Sequence, residues 1–253
     1  MPYRYVPLLR TKIGETNALR NLSNAAKARA FPIFQLAATP PAGFAAALSA
    51  ALPQGVVALD GTFNFGLTSS TNDFTAMIAA LGNANLRVVP SIEVDAPQQY
   101  IAAVQRVVGK YAPGVVVRAT LRLLPRAMAW IAAQNWQPNT VDLLIDAGHV
   151  AGYESGQFQG FVLQVINQNI PAAPQLRSIT LASAAAPQDH SALAFGRNDV
   201  PRLDWQLWNA IAPQVQFALD YGDYCTLHPD LTEPPGIAMT RATVSVRYAI
   251  END

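Results

Sequence analysis

The chain has 253 residues, a formal net charge of zero and only 13% charged residues, so it lacks the basic excess of a nucleic-acid-binding protein. Its one cysteine, Cys225, excludes an internal disulfide framework. No apolar run approaches the roughly 18 residues that a membrane span needs, and the start lacks the apolar core of a signal peptide. We therefore expect an intracellular protein with neither nucleic-acid nor membrane partners.

Short apolar runs that end in polar residues recur along the chain, and such runs are typical of buried parallel strands. The predicted strands cover residues 5–9, 31–36, 56–60, 87–95, 115–120, 141–146, 177–182 and 215–224. The last run ends in Tyr221, Gly222, Asp223 and Tyr224, where we expect the glycine to permit a sharp turn.

Helical signals separate these runs. Apolar residues recur along one helical face from Ala18 to Ala26, Pro40 and Pro41 open an alanine-rich helix, and Thr71 marks a further helix start. Other helices are predicted near residues 97–108, 125–133, 158–166 and 203–211.

Strands and helices thus alternate eight times, as in repeated βαβ units. Eight units in this length predict an α/β fold, a (β/α)8 TIM-like barrel, with a doubly wound open parallel sheet as the alternative. No composition shift or flexible linker divides the chain. We expect one domain, residues 1–253, in which an alternating segment forms an appended strand at 237–250.

Polar side chains collect at the predicted strand ends, which is where parallel α/β folds bind ligands. The set comprises Arg10, Lys12, Gln35, Asp60, Glu93, Asp95, Arg118, Asp146, Asp220 and Asp223. Such residues also cap helices and pair with each other, so any single one is equally well explained by a structural role. In a chain so poor in charge, the whole set favours a ligand site.

Several chemistries suit this set. Carboxylates from Asp60, Glu93, Asp146 and Asp220 are ligands that Mg²⁺ or Mn²⁺ accept, although no short spacing fixes a metal site. The basic residues Arg10, Lys12 and Arg118 suit a phosphate or carboxylate; alternatively they neutralise the acids around them. The cofactor stays undetermined, with a divalent metal such as Mg²⁺ as one alternative.

The remaining reactive side chains carry weaker signals. His149, at the end of the sixth strand, suits a general base, whereas a solvated role is expected for His190 and His228 in long loops. A buried structural role is expected for Cys225. Trp205 and Trp208 suit a stacking platform, although such a pair more often packs into a core or a neighbouring subunit.

Both ends of the sequence resemble a phage and bacterial family, the "beta protein" family. The start carries Tyr5–Val6–Pro7–Leu8–Leu9–Arg10–Thr11–Lys12, and the end carries Arg202–Leu203–Asp204–Trp205, Tyr221–Gly222–Asp223–Tyr224 and Val246–Arg247–Tyr248. The resemblance implies a barrel-like α/β protein in the cytoplasm of a bacterial cell or a phage-infected host, and it implies no reaction. We expect sequence after the Arg-Tyr strand in that family, so a C-terminal portion is expected to be missing here.

Two functions follow as hypotheses. In the first, the rim binds, and as an enzyme hydrolyses, a phosphorylated or nucleotide-like small molecule. Its ligand-binding residues would be Arg10, Lys12, Asp60, Glu93, Arg118 and Tyr224, and its catalytic residues Asp146, Asp220 and Asp223. In the second, the protein is non-catalytic and acts in phage or host defence by binding a protein partner, or it forms a homo-oligomer, through the Trp-bearing helix or the apolar tail.

Overall fold

The computed structural model describes residues 4–36, 40–187, 199–225 and 228–230. The strands are β1 Tyr5–Arg10, β2 Ile33–Gln35, β3 Val56–Asp60, β4 Arg87–Glu93, β5 Val115–Thr120, β6 Val141–His149, β7 Ser178–Ala184 and β8 Leu219–Asp223. The helices are α1 Ile13–Asn21, α2 Asn24–Arg29, α3 Phe44–Ala51, α4 Thr62–Thr68, α5 Asn72–Asn83, α6 Gln98–Val107, α7 Leu124–Ala133, α8 Ser155–Asn169 and α9 Leu203–Ile211.

The eight strands form one closed, all-parallel barrel in sequence order, with β8 paired to β1. Neighbouring strands are joined by segments that contain helices, and the helices cover the outside of the sheet. The predicted (β/α)8 barrel is therefore confirmed, and the open doubly wound sheet is excluded.

The strands have nearly continuous apolar sequences because each of them packs into two apolar cores. One set of alternate strand residues packs inside the barrel, where Val6, Leu8, Ile33, Ala58, Val89, Val116, Leu144 and Ala182 share a cluster. The other set packs against the helices, as Phe34 does with Phe44 at a ring separation of 5.4 Å. Because both faces of a barrel strand are buried, its sequence shows little polar alternation.

The closing strand β8 is shorter than predicted. It begins at Leu219, whereas the prediction placed the strand start at residue 215. A 3-10 turn, Ala212–Gln214, ends the preceding helix, and Val215 and Phe217 then pack against the helix-side core without joining the sheet. Because these two side chains are apolar, the prediction extended the strand to include them.

Gly222 lies within β8, so the turn expected at this residue is wrong. A Cβ atom there would lie 3.0 Å from each of three atoms: the Cβ of Ala182, the Cγ2 of Thr180 and the carbonyl oxygen of Val6. Glycine is therefore needed because the neighbouring strands approach too closely for any side chain.

The strand predicted at 237–250 lies outside the described residues, as does His190. Among the described residues, no helix is both long enough and apolar enough to cross a bilayer.

Candidate functional site at the mouth of the barrel

Polar side chains close the carboxyl end of the barrel interior. Along each strand, every second residue faces inward, so the apolar interior positions Leu8, Ile33, Ala58, Val116 and Leu144 are each followed two residues later by a polar one. Glu93 at the end of β4 and Tyr224 after β8 also face inward at this end. We call the whole set the mouth cluster: Arg10, Gln35, Asp60, Glu93, Arg118, Asp146 and Tyr224.

Arg118 on β5 joins three sides of the mouth. Its Nε and Nη2 donate to Asp146 Oδ2 at 2.9 and 2.6 Å, and Nη2 also donates to Tyr224 Oη at 3.0 Å. Its Nη1 lies 4.0 Å from Asp60 Oδ2. Burial disfavours the charge, but the adjacent Asp146, Tyr224 and Asp60 outweigh it and raise the pKa of Arg118 well above its ordinary value. The guanidinium is therefore permanently charged and largely neutralised within the protein.

Asp146 on β6 is held by several donors besides Arg118. The Tyr224 hydroxyl donates to Oδ2 at 2.6 Å, and the backbone N–H of Gly148 donates to Oδ1 at 2.9 Å. Burial raises the pKa of Tyr224 well above its ordinary value, and the charge of Asp146 raises it further, so the phenol stays protonated. Asp146 and Tyr224 thus hold Arg118 in one position.

Asp60 on β3 is similarly engaged. It accepts hydrogen bonds from the backbone N–H of Thr62 at 2.9 Å and from the Ser91 hydroxyl at 3.3 Å. Its side chain is buried, and its orientation is fixed by the start of α4 and by the neighbouring strand β4.

Glu93 at the end of β4 differs from these acids. Within the described part of the chain its half-buried carboxylate has no hydrogen-bond donor. Burial raises its pKa; Arg118 opposes that effect, while Asp60 and Asp146 add to it. Glu93 is therefore the acid of the mouth that is open to a further interaction.

Two further basic side chains, Arg10 and His149, lie at the mouth. Arg10 ends β1, and its Nη2 donates to the carbonyl oxygen of Asp230 at 3.3 Å. His149 ends β6, and its ring lies 4.5 Å from the ring of His228. Residues 228–230 therefore bridge the ends of β6 and β1, and the partly buried His228 packs against His149 there.

Two nitrogen atoms in this region lack partners. Arg10 Nε and His149 Nε2 are both buried, and neither has a hydrogen-bond partner within the described ranges. Burial lowers the pKa of His228; His149 and Arg10 lower it too, and Asp230 opposes them. His228 Nδ1 accepts from the backbone N–H of Asp230 at 3.1 Å, which leaves the proton of the neutral ring on Nε2.

Lys12 and Gln35 flank Arg10. Lys12 is exposed immediately before α1, and Gln35 is buried at the end of β2 as the register partner of Arg10. Burial raises the pKa of Glu15, and the charges of Lys12 and Arg10 oppose that change. Lys12 therefore adds positive charge at the edge of the mouth.

Asp220 does not belong to the mouth, so its predicted place at the rim is wrong. As the second residue of β8 it lies at the opposite end of the barrel, where it accepts from the Arg4 backbone N–H at 2.7 Å and from Arg4 Nε at 3.2 Å. Arg4 Nη2 also contacts Asp142, which pairs with Arg177. These residues close the amino-terminal end of the barrel, which is a structural role.

Asp223 ends β8 at the carboxyl end of the barrel, but its side chain lies on the outer face, because it alternates with the inward-facing Gly222 and Tyr224. The prediction that it points into the rim is therefore wrong. Tyr5 donates to it at 2.8 Å and Arg202 at 3.1 Å. Burial raises its pKa above the ordinary value. We call this group, with Asp204 and Tyr221, the outer-face network.

The outer-face network was missed by sequence reasoning. Tyr221 Oη lies 2.5 Å from Asp204 Oδ2, and Arg202 Nη2 donates to the same oxygen at 2.9 Å. Trp205 and Trp208 stack at 5.0 Å and pack edge-on against Tyr221. The tryptophans therefore pack against the barrel. Their spacing of three residues, next to Asp204, was the sequence feature that could have indicated this network.

The described residues contain no group of three His, Cys, Asp or Glu side chains that could hold a metal ion. The guanidinium of Arg118 lies beside Asp146 and Asp60, where a cation shared by these acids would lie.

The fold and the site define a (β/α)8-barrel protein with a charged, largely buried mouth. The family model described as Beta protein matches residues 5–253, so the chain belongs to the Beta protein family. A comparison with curated proteins finds no match.

Proposed function

We propose that the protein binds a small phosphorylated or nucleotide-like molecule at the mouth of the barrel, with its anionic group against Arg10 and His149. The observation that carries this proposal is the pair of buried, unpartnered nitrogen atoms, Arg10 Nε and His149 Nε2, within the described ranges. Buried polar groups almost always have partners, and each missing partner costs about 1–3 kcal/mol. An acceptor supplied by a ligand would remove this cost.

A phosphate suits these donors better than a neutral acceptor. The Arg10 guanidinium presents several N–H groups to oxygen atoms, and Lys12 adds a second cation nearby. Both lie at the end of β1, and ligands of parallel barrels bind at this end. Arg118 supports the floor of the site and contributes little further charge, because Asp146 and Asp60 already balance it.

The alternative of a protein-binding surface gains less support. Trp205 and Trp208 pack against Tyr221, and the apolar tail lies outside the described residues.

Thermal denaturation with and without inorganic phosphate, ribose 5-phosphate and adenosine monophosphate tests the proposal. A ligand at about 100 times its dissociation constant adds about 2.7 kcal/mol of stability, which raises the Tm of a chain of this size by about 5–10 °C. We expect Arg10→Gln to abolish that increase. The matched control is Arg87→Gln, which makes the same change at the exposed first residue of β4 at the other end of the barrel.

The proposal fails if no phosphorylated compound in a broad panel stabilises the folded wild type. It also fails if Arg10→Gln and Arg87→Gln respond to the compounds as the wild type does.

A further inference from the structure

The mouth of the barrel has two sides of different chemistry. Arg10 on β1 brings an unpartnered N–H and His149 on β6 an unpartnered ring nitrogen, whereas Glu93 on β4 brings an acceptor without a donor, among the residues that the structure describes. Arg10 and His149 both contact residues 228–230, which bring them to one part of the mouth. Glu93 has no such contact within the described residues, and its strand β4 is three strands from β1, so these groups approach a ligand from different directions.

Glu93 is distinguished from the other acids of the mouth because no residue that the structure describes donates a hydrogen bond to it. Asp146 receives hydrogen bonds from Arg118, Tyr224 and a backbone N–H, and Asp60 receives them from Ser91 and a backbone N–H. Glu93 is the register partner of Arg118, yet the guanidinium is directed to Asp146. The network of Arg118 therefore leaves the Glu93 carboxylate available.

At the position of Glu93, a carboxylate without a hydrogen-bond donor destabilises the folded protein. Its side chain shares the inward face with Val89 and Ser91, and burial raises its pKa. A half-buried carboxylate without a donor loses hydration, and the charges of Arg118 and Arg122 offset only part of that loss. A donor on a bound molecule would compensate that loss.

We infer that the ligand has two ends, with a phosphate held by Arg10 and His149 and a hydroxyl or ammonium group that donates a hydrogen bond to Glu93. This inference rests on the proposed function and specifies its ligand class. Arg118, Asp146 and Tyr224 are positioning residues in this arrangement, because they form the floor between the two ends and hold no part of the ligand by themselves.

Three series of phosphate monoesters test the inference: n-alkyl phosphates, ω-hydroxyalkyl phosphates and ω-aminoalkyl phosphates, each with chains of several lengths. Affinity is measured by calorimetry on the intact protein. At the length that spans the mouth, a terminal donor should tighten binding about tenfold relative to the plain alkyl phosphate. A gain for the hydroxyl series identifies an alcohol, and a gain for the amino series alone identifies an amine.

The variant Glu93→Ala should reduce the three series to equal affinity at every chain length, because it removes the acceptor for the terminal donor. The variant Arg10→Gln should weaken all of them, inorganic phosphate included. Equal affinity of the three series at every length in the wild type would overturn the inference and leave the proposed function standing. Failure of the wild type to bind any of these phosphates would instead refute the proposed function.

Discussion

The ion pair between Arg118 and Asp146 should contribute far more to stability than an exposed pair of equal length. The Nη2–Oδ2 distance is 2.6 Å, and the two side chains are only 17% and 3% exposed. The substitution Asp146→Asn preserves the shape of the side chain but leaves the guanidinium buried, with Asp60 at 4.0 Å as its nearest remaining acid.

Breaking a buried ion pair costs about 3–5 kcal/mol, and the remaining charge of Asp60 favours the lower end of that range. We therefore expect Asp146→Asn to lose about 3 kcal/mol of unfolding free energy, which lowers the Tm by about 6–12 °C. Urea denaturation followed by circular dichroism measures this loss.

Asp95→Asn is the matched control. Asp95 Oδ2 lies 2.6 Å from Arg126 Nη1, but these side chains are 31% and 67% exposed. An exposed pair contributes at most about 1 kcal/mol, and asparagine tolerates the positive φ of 64° at this position. Equal losses in the two variants would refute the reasoning from burial.

A second variant tests the cause of the loss. If the unpaired guanidinium destabilises Asp146→Asn, then Arg118→Met in that background should recover at least about 1 kcal/mol. No recovery would show that the loss arises elsewhere.

Two further predictions concern Gly222 and Glu93. Gly222→Ala should cost about 1–3 kcal/mol in urea denaturation, because the added methyl meets three atoms at 3.0 Å inside the barrel. Gly66→Ala in α4 is the control; its Cβ meets nothing within 4 Å and should stabilise the helix by about 0.5–1 kcal/mol, so similar losses at both sites would contradict the packing argument. Glu93→Gln should raise the Tm at pH 7, because burial raises the pKa of Glu93 and the folded state therefore disfavours its charge. Stability from such a group is present at acidic pH and is lost as the pH rises through the raised pKa, so the advantage of Glu93→Gln should shrink toward pH 4, and a lower Tm of the variant at pH 7 would contradict it.

The barrel could be predicted because each unit repeats the same physical pattern. A run such as 115–120 is too short for a helix and too apolar for a surface loop, and a capping or helical signal follows each run. Eight such units determine the fold, although only the pairing of β8 with β1 shows closure.

The ends of the strands were harder to predict, and both errors in the site arise there. Nothing between residues 215 and 224 shows where pairing begins, because Val215 and Phe217 are as apolar as strand residues. Because the predicted start of β8 was four residues too early, the prediction placed Asp220 near the end of the strand. A strict alternation counted back from Tyr224 would have separated Asp223 from the mouth, but burial of both faces conceals that alternation.

The contacts of His228 could not be predicted for a different reason. Its ring packs on His149, a residue 79 positions earlier by their numbers, and Asp230 meets Arg10 from the far end of the chain. No local pattern encodes such contacts. The mouth was therefore predictable strand by strand, and the bridge across it was not.

The pairing of β8 with β1 has a consequence for synthesis on the ribosome. These strands lie 216 residues apart, as Tyr5 and Tyr221 show, so the sheet stays open until nearly the whole described chain has emerged. Until then β1 and β7 each present an unpaired parallel edge, the kind of surface that recruits strands from other chains. The nascent protein thus keeps this aggregation hazard until β8 emerges, and the five residues of β8 then remove both edges at once.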